Sequence, residues 1–123
     1  MGYYADSSFL VSCYVLDSNT TRTKAWLAQT GAALLFTALH ALEVRNAFQL
    51  GIFRGLLSAA EARAALANLQ NDLQSGRLVK TAVSWPVAFR LGMRFSQRQS
   101  AIIGTRSFDI LHVAAATGLR VQP

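Results

Sequence analysis

The sequence predicts an α/β fold built on a parallel sheet, and three observations point there. Short apolar runs of strand type alternate with longer patches of helical periodicity. Helix start and stop signals fall between these patches rather than inside them. The 123 residues are 52% hydrophobic and only 15% charged, a balance that suits a packed domain and neither a disordered chain nor a coiled coil. The length is that of one domain, residues 1–123.

Each element has a local reason. Tyr3 to Ala5 reads as a short strand, after which Ser7 or Ser8 can cap a helix. Thr20 or Thr21 can cap a second helix, with Gly31 just past its end as a left-handed stop. Ala32 to Phe36 is a continuous apolar run, as expected of a strand buried on both faces. Thr37 then caps a long helix through Phe53. Ser58-Ala59-Ala60-Glu61 is a capping box that opens an Ala-rich helix to Gln74, stopped by Gly76. Leu78 to Val83 is a third strand candidate. Ser84-Trp85-Pro86 begins a helix to about Gln99, and Thr105 or Ser107 begins a last helix to Ala116.

Charge and cysteine usage narrow the function classes. Twelve Lys+Arg against six Asp+Glu give +6, which favours a polyanionic partner. The single cysteine, Cys13, excludes an internal disulfide and a four-cysteine zinc site and reads as an inert thiol. The greasiest stretch, Gly31 to Leu42, is interrupted by Thr37 and His40 and falls short of the roughly 18 apolar residues of a spanning helix. The N-terminus carries Asp6 where an export signal would be apolar, so a cytoplasmic protein with no membrane contact is expected.

In a parallel α/β sheet the site lies outside the carboxyl ends of the strands. Three of the six acids belong to that end or face inward. Asp6 ends the first strand, Glu43 shares a helix face with Leu39, Ala47 and Leu50, and Asp109 lies in the first turn of the last helix. A carboxylate on an apolar face needs a partner. Three oxygen donors without thiolates suit a hard ion, Mg²⁺ or Mn²⁺, which can activate water against a phosphodiester. The spacing equally allows Asp6 and Asp109 to cap helices while Glu43 pairs with an arginine.

Tyr4-Ala5-Asp6-Ser7-Ser8, then Leu42-Glu43 in a helix after an apolar strand, then Arg106-Ser107-Phe108-Asp109-Ile110-Leu111-His112-Val113-Ala114-Ala115-Ala116, resemble the successive blocks of a PIN domain. Across the whole chain the pattern is similar to the VapC-like ribonuclease toxins of type II toxin–antitoxin pairs. The resemblance implies a Rossmann-like parallel sheet and a metal-dependent endoribonuclease cleaving single-stranded RNA. It implies catalytic and metal-binding roles for Asp6, Glu43 and Asp109 with Mg²⁺ or Mn²⁺, and a supporting role for Ser7. The partners it implies are RNA, a cognate antitoxin and a second copy of the chain as a homodimer. The pattern departs from the family at its end, where Thr117 to Pro123 contains no acid. A C-terminally shortened fold lacking the final strand or strands is therefore expected. A non-catalytic remnant that binds RNA or a protein is the alternative.

Arg90, Arg94 and Arg98 recur every four residues and form either an RNA or antitoxin contact or simply a solvated face, with Val87, Leu91 and Phe95 on the apolar side. Arg106 precedes Asp109 by three residues and can either contact a substrate phosphate or orient that carboxylate, the second being the expected role. His40, His112, the two tryptophans and the seven phenylalanines read as hydrogen-bonded or packed core groups.

Overall fold

The computed structural model describes residues 2–15, 20–100 and 107–119. The elements in order are α1 (Ser7–Tyr14), α2 (Thr20–Thr30), β1 (Leu34–Phe36), α3 (Ala38–Phe53), α4 (Ala59–Ser75), β2 (Leu78–Lys80), α5 (Trp85–Phe95), a π-helical turn (Ser96–Ser100) and α6 (Ser107–Leu119). The chain is mostly helical around a small parallel sheet, in which Leu34, Leu35 and Phe36 pair with Leu78, Val79 and Lys80. The expected strand at Tyr3 to Ala5 is reduced to one parallel bridge, Tyr3 to Leu34. Only Tyr3 exchanges backbone hydrogen bonds with β1, its N–H to Ala33 O at 2.9 Å and its O from Leu35 N at 2.8 Å. The chain turns at once into α1, so no longer ladder forms.

Local signals set the helix ends. Asp6, rather than Ser7 or Ser8, is the N-cap of α1, and it accepts the Phe9 N–H at 2.9 Å. Thr37 and Ser58 cap α3 and α4 in reciprocal capping boxes. Gly31 and Gly76 take φ of 58° and 85°, the left-handed stop that only glycine adopts without strain. Residues 16–19, directly before Thr20, lie outside the described residues.

The main core gathers Leu10, Leu34, Phe36, Val44, Phe48, Ala62, Ala65, Leu69 and Leu78 between α1, α3, α4 and the sheet. Burying each large aliphatic of this set stabilises by about 1.5–3 kcal/mol. Tyr14 fastens α1 to α4 by donating to Asp72 at 2.7 Å. A second core joins α3, α5 and α6 through Leu39, Ala88, Leu111 and Ala114. The helix α5 shows its expected apolar face in part, with Leu91 and Phe95 packed partly buried against this core. Its buried residues are Ala88 and Gly92, whereas Val87 is exposed. Small side chains let α6 come close, and a Cβ on Gly92 would stand 3.4 Å from Ile110. Among the described residues no helix is long and apolar enough to cross a membrane.

Candidate functional site

Tyr3 and β1 run parallel, so their carboxyl ends lie on the same side of the sheet. The chain leaves that side into α1 after Asp6 and into α3 after Thr37. Glu43 is thereby placed beside the first turn of α1. Ser7 Oγ donates to Glu43 Oε1 at 2.7 Å. The same carboxylate oxygen meets His112 Nε2 in a short hydrogen-bond contact. His112 follows Asp109 by three residues on α6, so the two side chains occupy one face of that helix. Two contacts thus link all three sequence blocks, Asp6-Ser7 to Glu43 and Glu43 to Asp109-His112.

Beneath the carboxylate lies a buried layer of rings. Tyr4 is 1% exposed and its hydroxyl lies 2.6 Å from His112 Nδ1. Burial pushes the Tyr4 phenol up to about 12, so it keeps its proton and donates to Nδ1. Nε2–H of His112 then faces Glu43. His40 packs against both groups at a tilt, with ring centroids 4.7 Å from Tyr4 and 4.9 Å from His112. Its Nδ1 accepts the Thr37 backbone N–H at 3.0 Å, which leaves Nε2–H to donate to Ala5 O at 2.7 Å. Desolvation lowers His40 to about 4, against the smaller opposing pull of its bond to Ala5. His40 is therefore a neutral structural group that ties the start of α3 to the residue before Asp6.

Ser7, His112 and Glu43 do not form a nucleophile–histidine–acid relay. Such a relay places serine and carboxylate on opposite ring nitrogens. Here both meet Nε2, with Ser7 Oγ at 3.2 Å, and the serine proton points to the carboxylate. The supporting role expected for Ser7 toward Asp6 falls instead to Ser8, whose hydroxyl donates to Asp6 Oδ1 at 2.9 Å. Ser7, at the first helical position, is aimed inward at Glu43.

Asp6 and Asp109 are both exposed, and Glu43 is 23% exposed at its side chain. Among the described residues, neither aspartate has an ion-pair partner, and Glu43 pairs with His112 rather than an arginine. No three His, Cys, Asp or Glu side chains gather into a metal-holding group among the described residues. The donors fit a hard cation in kind, because they are carboxylate oxygens. Asp6 Oδ1 and Glu43 Oε1 are engaged, which leaves the second oxygen of each without a partner among the described residues. Magnesium commonly binds through only one or two carboxylates and keeps several waters.

Arg90, Arg94 and Arg98 are all exposed. The π turn from Ser96 widens the winding, which moves Arg98 out of the strict four-residue row. Arg106 lies outside the described residues. The sequence reading recognised His112 as hydrogen-bonded but not as the group that holds Glu43. Its spacing of three from Asp109 was the available signal, while its partners are remote in sequence. No protein-family model matches this chain, and no curated protein matches it either.

Proposed function

We propose that the chain is a metal-dependent endoribonuclease acting on single-stranded RNA, of the PIN-domain kind and the toxin half of a toxin–antitoxin pair. The observation that carries this reading is the linkage of Asp6-Ser7, Glu43 and Asp109-His112 through Glu43. Three acidic blocks scattered over the chain meet where an α/β sheet places its chemistry. Asp6 and Glu43, with Asp109 three residues before His112 on α6, would hold Mg²⁺ or Mn²⁺, which when bound supplies an activated water and neutralises charge developing on phosphate. Ser7 and His112 orient the Glu43 carboxylate. Tyr4 holds His112 in the tautomer that presents Nε2–H to it. Arg90 and Arg94 offer exposed cations for phosphates of the strand or for an acidic antitoxin segment, with Arg98 beside them.

A homodimer belongs to the same reading. Leu42, Leu50 and Phe53 form an exposed apolar row on α3, with Leu56 beyond it.

A second reading, a non-catalytic member of the fold that binds RNA or protein, is favoured by the lack of a gathered three-ligand group among the described residues. One experiment separates the two. Purified protein is incubated with a mixed single-stranded RNA in Mn²⁺ and in chelator, beside Asp6→Asn purified identically. Cleavage that disappears in both controls supports the enzyme. No cleavage by a folded chain sinks it and leaves the binding protein.

A further inference from the structure

A cleft between α1 and α2 is lined by Asp6, Ser8, Phe9, Arg22, Thr23 and Trp26, with Ser12 at its base, and has a volume of about 440 Å³. Asp6 therefore belongs both to this cleft and to the candidate site. Phe9 and Trp26 pack partly buried against the main core, while Ser8 and Arg22 stand exposed at the cleft. Arg22 is exposed in the first turn of α2 and has no ion-pair partner among the described residues. Trp26 is only half-buried, and its ring meets Phe9 at 5.6 Å and Tyr3 at 5.4 Å, both close to perpendicular. An aromatic wall, a free guanidinium and hydroxyls are the equipment for one nucleotide: base against the ring, phosphate on the cation.

The Asp6 charge does not close the cleft to phosphate. Its Oδ1 accepts from Ser8 Oγ and Phe9 N, and the carboxylate sits at the positive end of α1. Arg22 adds a full positive charge in the same cleft. We infer that the α1–α2 cleft is the subsite for the RNA nucleotide flanking the scissile phosphate, with Trp26 contacting the base and Arg22 the adjoining phosphate. This inference rests on the nuclease reading for its placement beside the cut, while the binding it describes needs no metal.

The test uses the full chain and a fluorescently labelled hexaribonucleotide in chelator, where no metal-dependent cleavage occurs. Polarisation gives affinity as a function of salt. The chain has only two tryptophans, so two indole N–H signals report on Trp26 and Trp85 in a nitrogen–proton spectrum. The expected result is a shift of the Trp26 signal with the Trp85 signal unmoved. Arg22→Gln is expected to weaken binding severalfold and to lower the slope of log K against log salt by about 0.7, as for one lost phosphate contact on a single strand. Trp26→Phe, which keeps an aromatic ring in the packing, is expected to weaken binding with the salt slope unchanged. Arg63→Gln, on the exposed face of α4, is the control that leaves both quantities as they are. An unmoved Trp26 signal, or equal affinity in Arg22→Gln and the parent, overturns the inference whether or not the protein cleaves RNA. Arg22-dependent binding with no cleavage in Mn²⁺ overturns the nuclease reading alone and leaves the cleft a nucleotide-binding site.

Discussion

The hydroxyl of Tyr4 and Nδ1 of His112 lie 2.6 Å apart although 108 residues separate them in the chain. This bond closes the molecule, because it joins the residue that enters the sheet to the last described helix. Tyr4→Phe keeps the ring and removes only the donor, which leaves Nδ1 of a buried imidazole without its partner. The expected loss is about 1–3 kcal/mol, read as a lower urea midpoint with an unchanged slope. His112→Ala should cost more, since it also frees Glu43. An unaltered midpoint in Tyr4→Phe would show that the bond does not hold the two ends together.

Acid stability should depend on His40. The unfolded chain takes up a proton at the ordinary 6.5, whereas the folded chain does so only at about 4, because burial opposes the charge. The unfolded state therefore binds more protons between these values. Stability is fully present above pH 6.5 and falls as pH drops toward 4, by on the order of 3 kcal/mol from this group. His40→Gln retains a side chain suited to the third position of the Thr37 capping box. It should start less stable at neutral pH and show a flatter pH dependence over that window. An equally steep profile in the variant would assign the acid loss to other groups.

Asp6 caps α1 and, in the proposed nuclease, also holds the metal, and a pair of substitutions divides the two roles. Asparagine caps a helix about as well as aspartate, so Asp6→Asn should melt close to the parent while losing metal-dependent cleavage. Asp6→Ala loses both and should cost about 1 kcal/mol of stability as well. Melting curves and cleavage assays on the same preparations make the check. Cleavage at parental rate by Asp6→Asn would remove this carboxylate from the proposed site.

Two glycines should respond in opposite directions to alanine. Gly76 has φ of 85° at the end of α4, so a Cβ is strained there although nothing crowds it, and Gly76→Ala should lose about 1 kcal/mol. Gly92 lies inside α5, where a Cβ meets Ile110 and Ala114 at ordinary contact distances of 3.4 and 4.0 Å. Gly92→Ala should gain up to about 1 kcal/mol from helix propensity. Thermal melts of the two variants side by side test both signs.

These cases mark what the sequence could and could not reveal. Caps at Thr37 and Ser58 and stops at Gly31 and Gly76 were legible, because each depends on residues within one turn. The helix–strand alternation was legible for the same reason. The first strand was overestimated, since a strand exists only through its partner, and Tyr3 pairs with β1 at a single position. At the site, Asp6, Glu43 and Asp109 stood out as acids in unusual places. Their connectors did not. Ser7 looked like a helper of Asp6 but turns to Glu43, 36 residues away, and His112 reaches Glu43 across 69 residues. Such contacts are set by how α1, α3 and α6 pack, which periodicity alone does not encode. The buried face of α5 was legible in part: Leu91 and Phe95 pack against the second core, whereas Val87 stays exposed and the smaller Ala88 and Gly92 take the fully buried positions against α6.

Self-association should run through α3. Phe53 is 88% exposed and Leu42 60%, with Leu50 at 39% between them on the same helical row. An apolar row of this kind facing water is the surface a second copy would cover. Because Phe53 contributes so little to the core, Phe53→Ser should leave the melting temperature of the dilute chain nearly unchanged. It should nevertheless shift the sedimentation profile toward the monomer at concentrations where the parent associates. Leu42→Ser should act the same way, and the two together more strongly. Association at parental strength in the double variant would place the contact between copies elsewhere. Loss of melting temperature in step with loss of association would instead mean that the folded monomer depends on its partner.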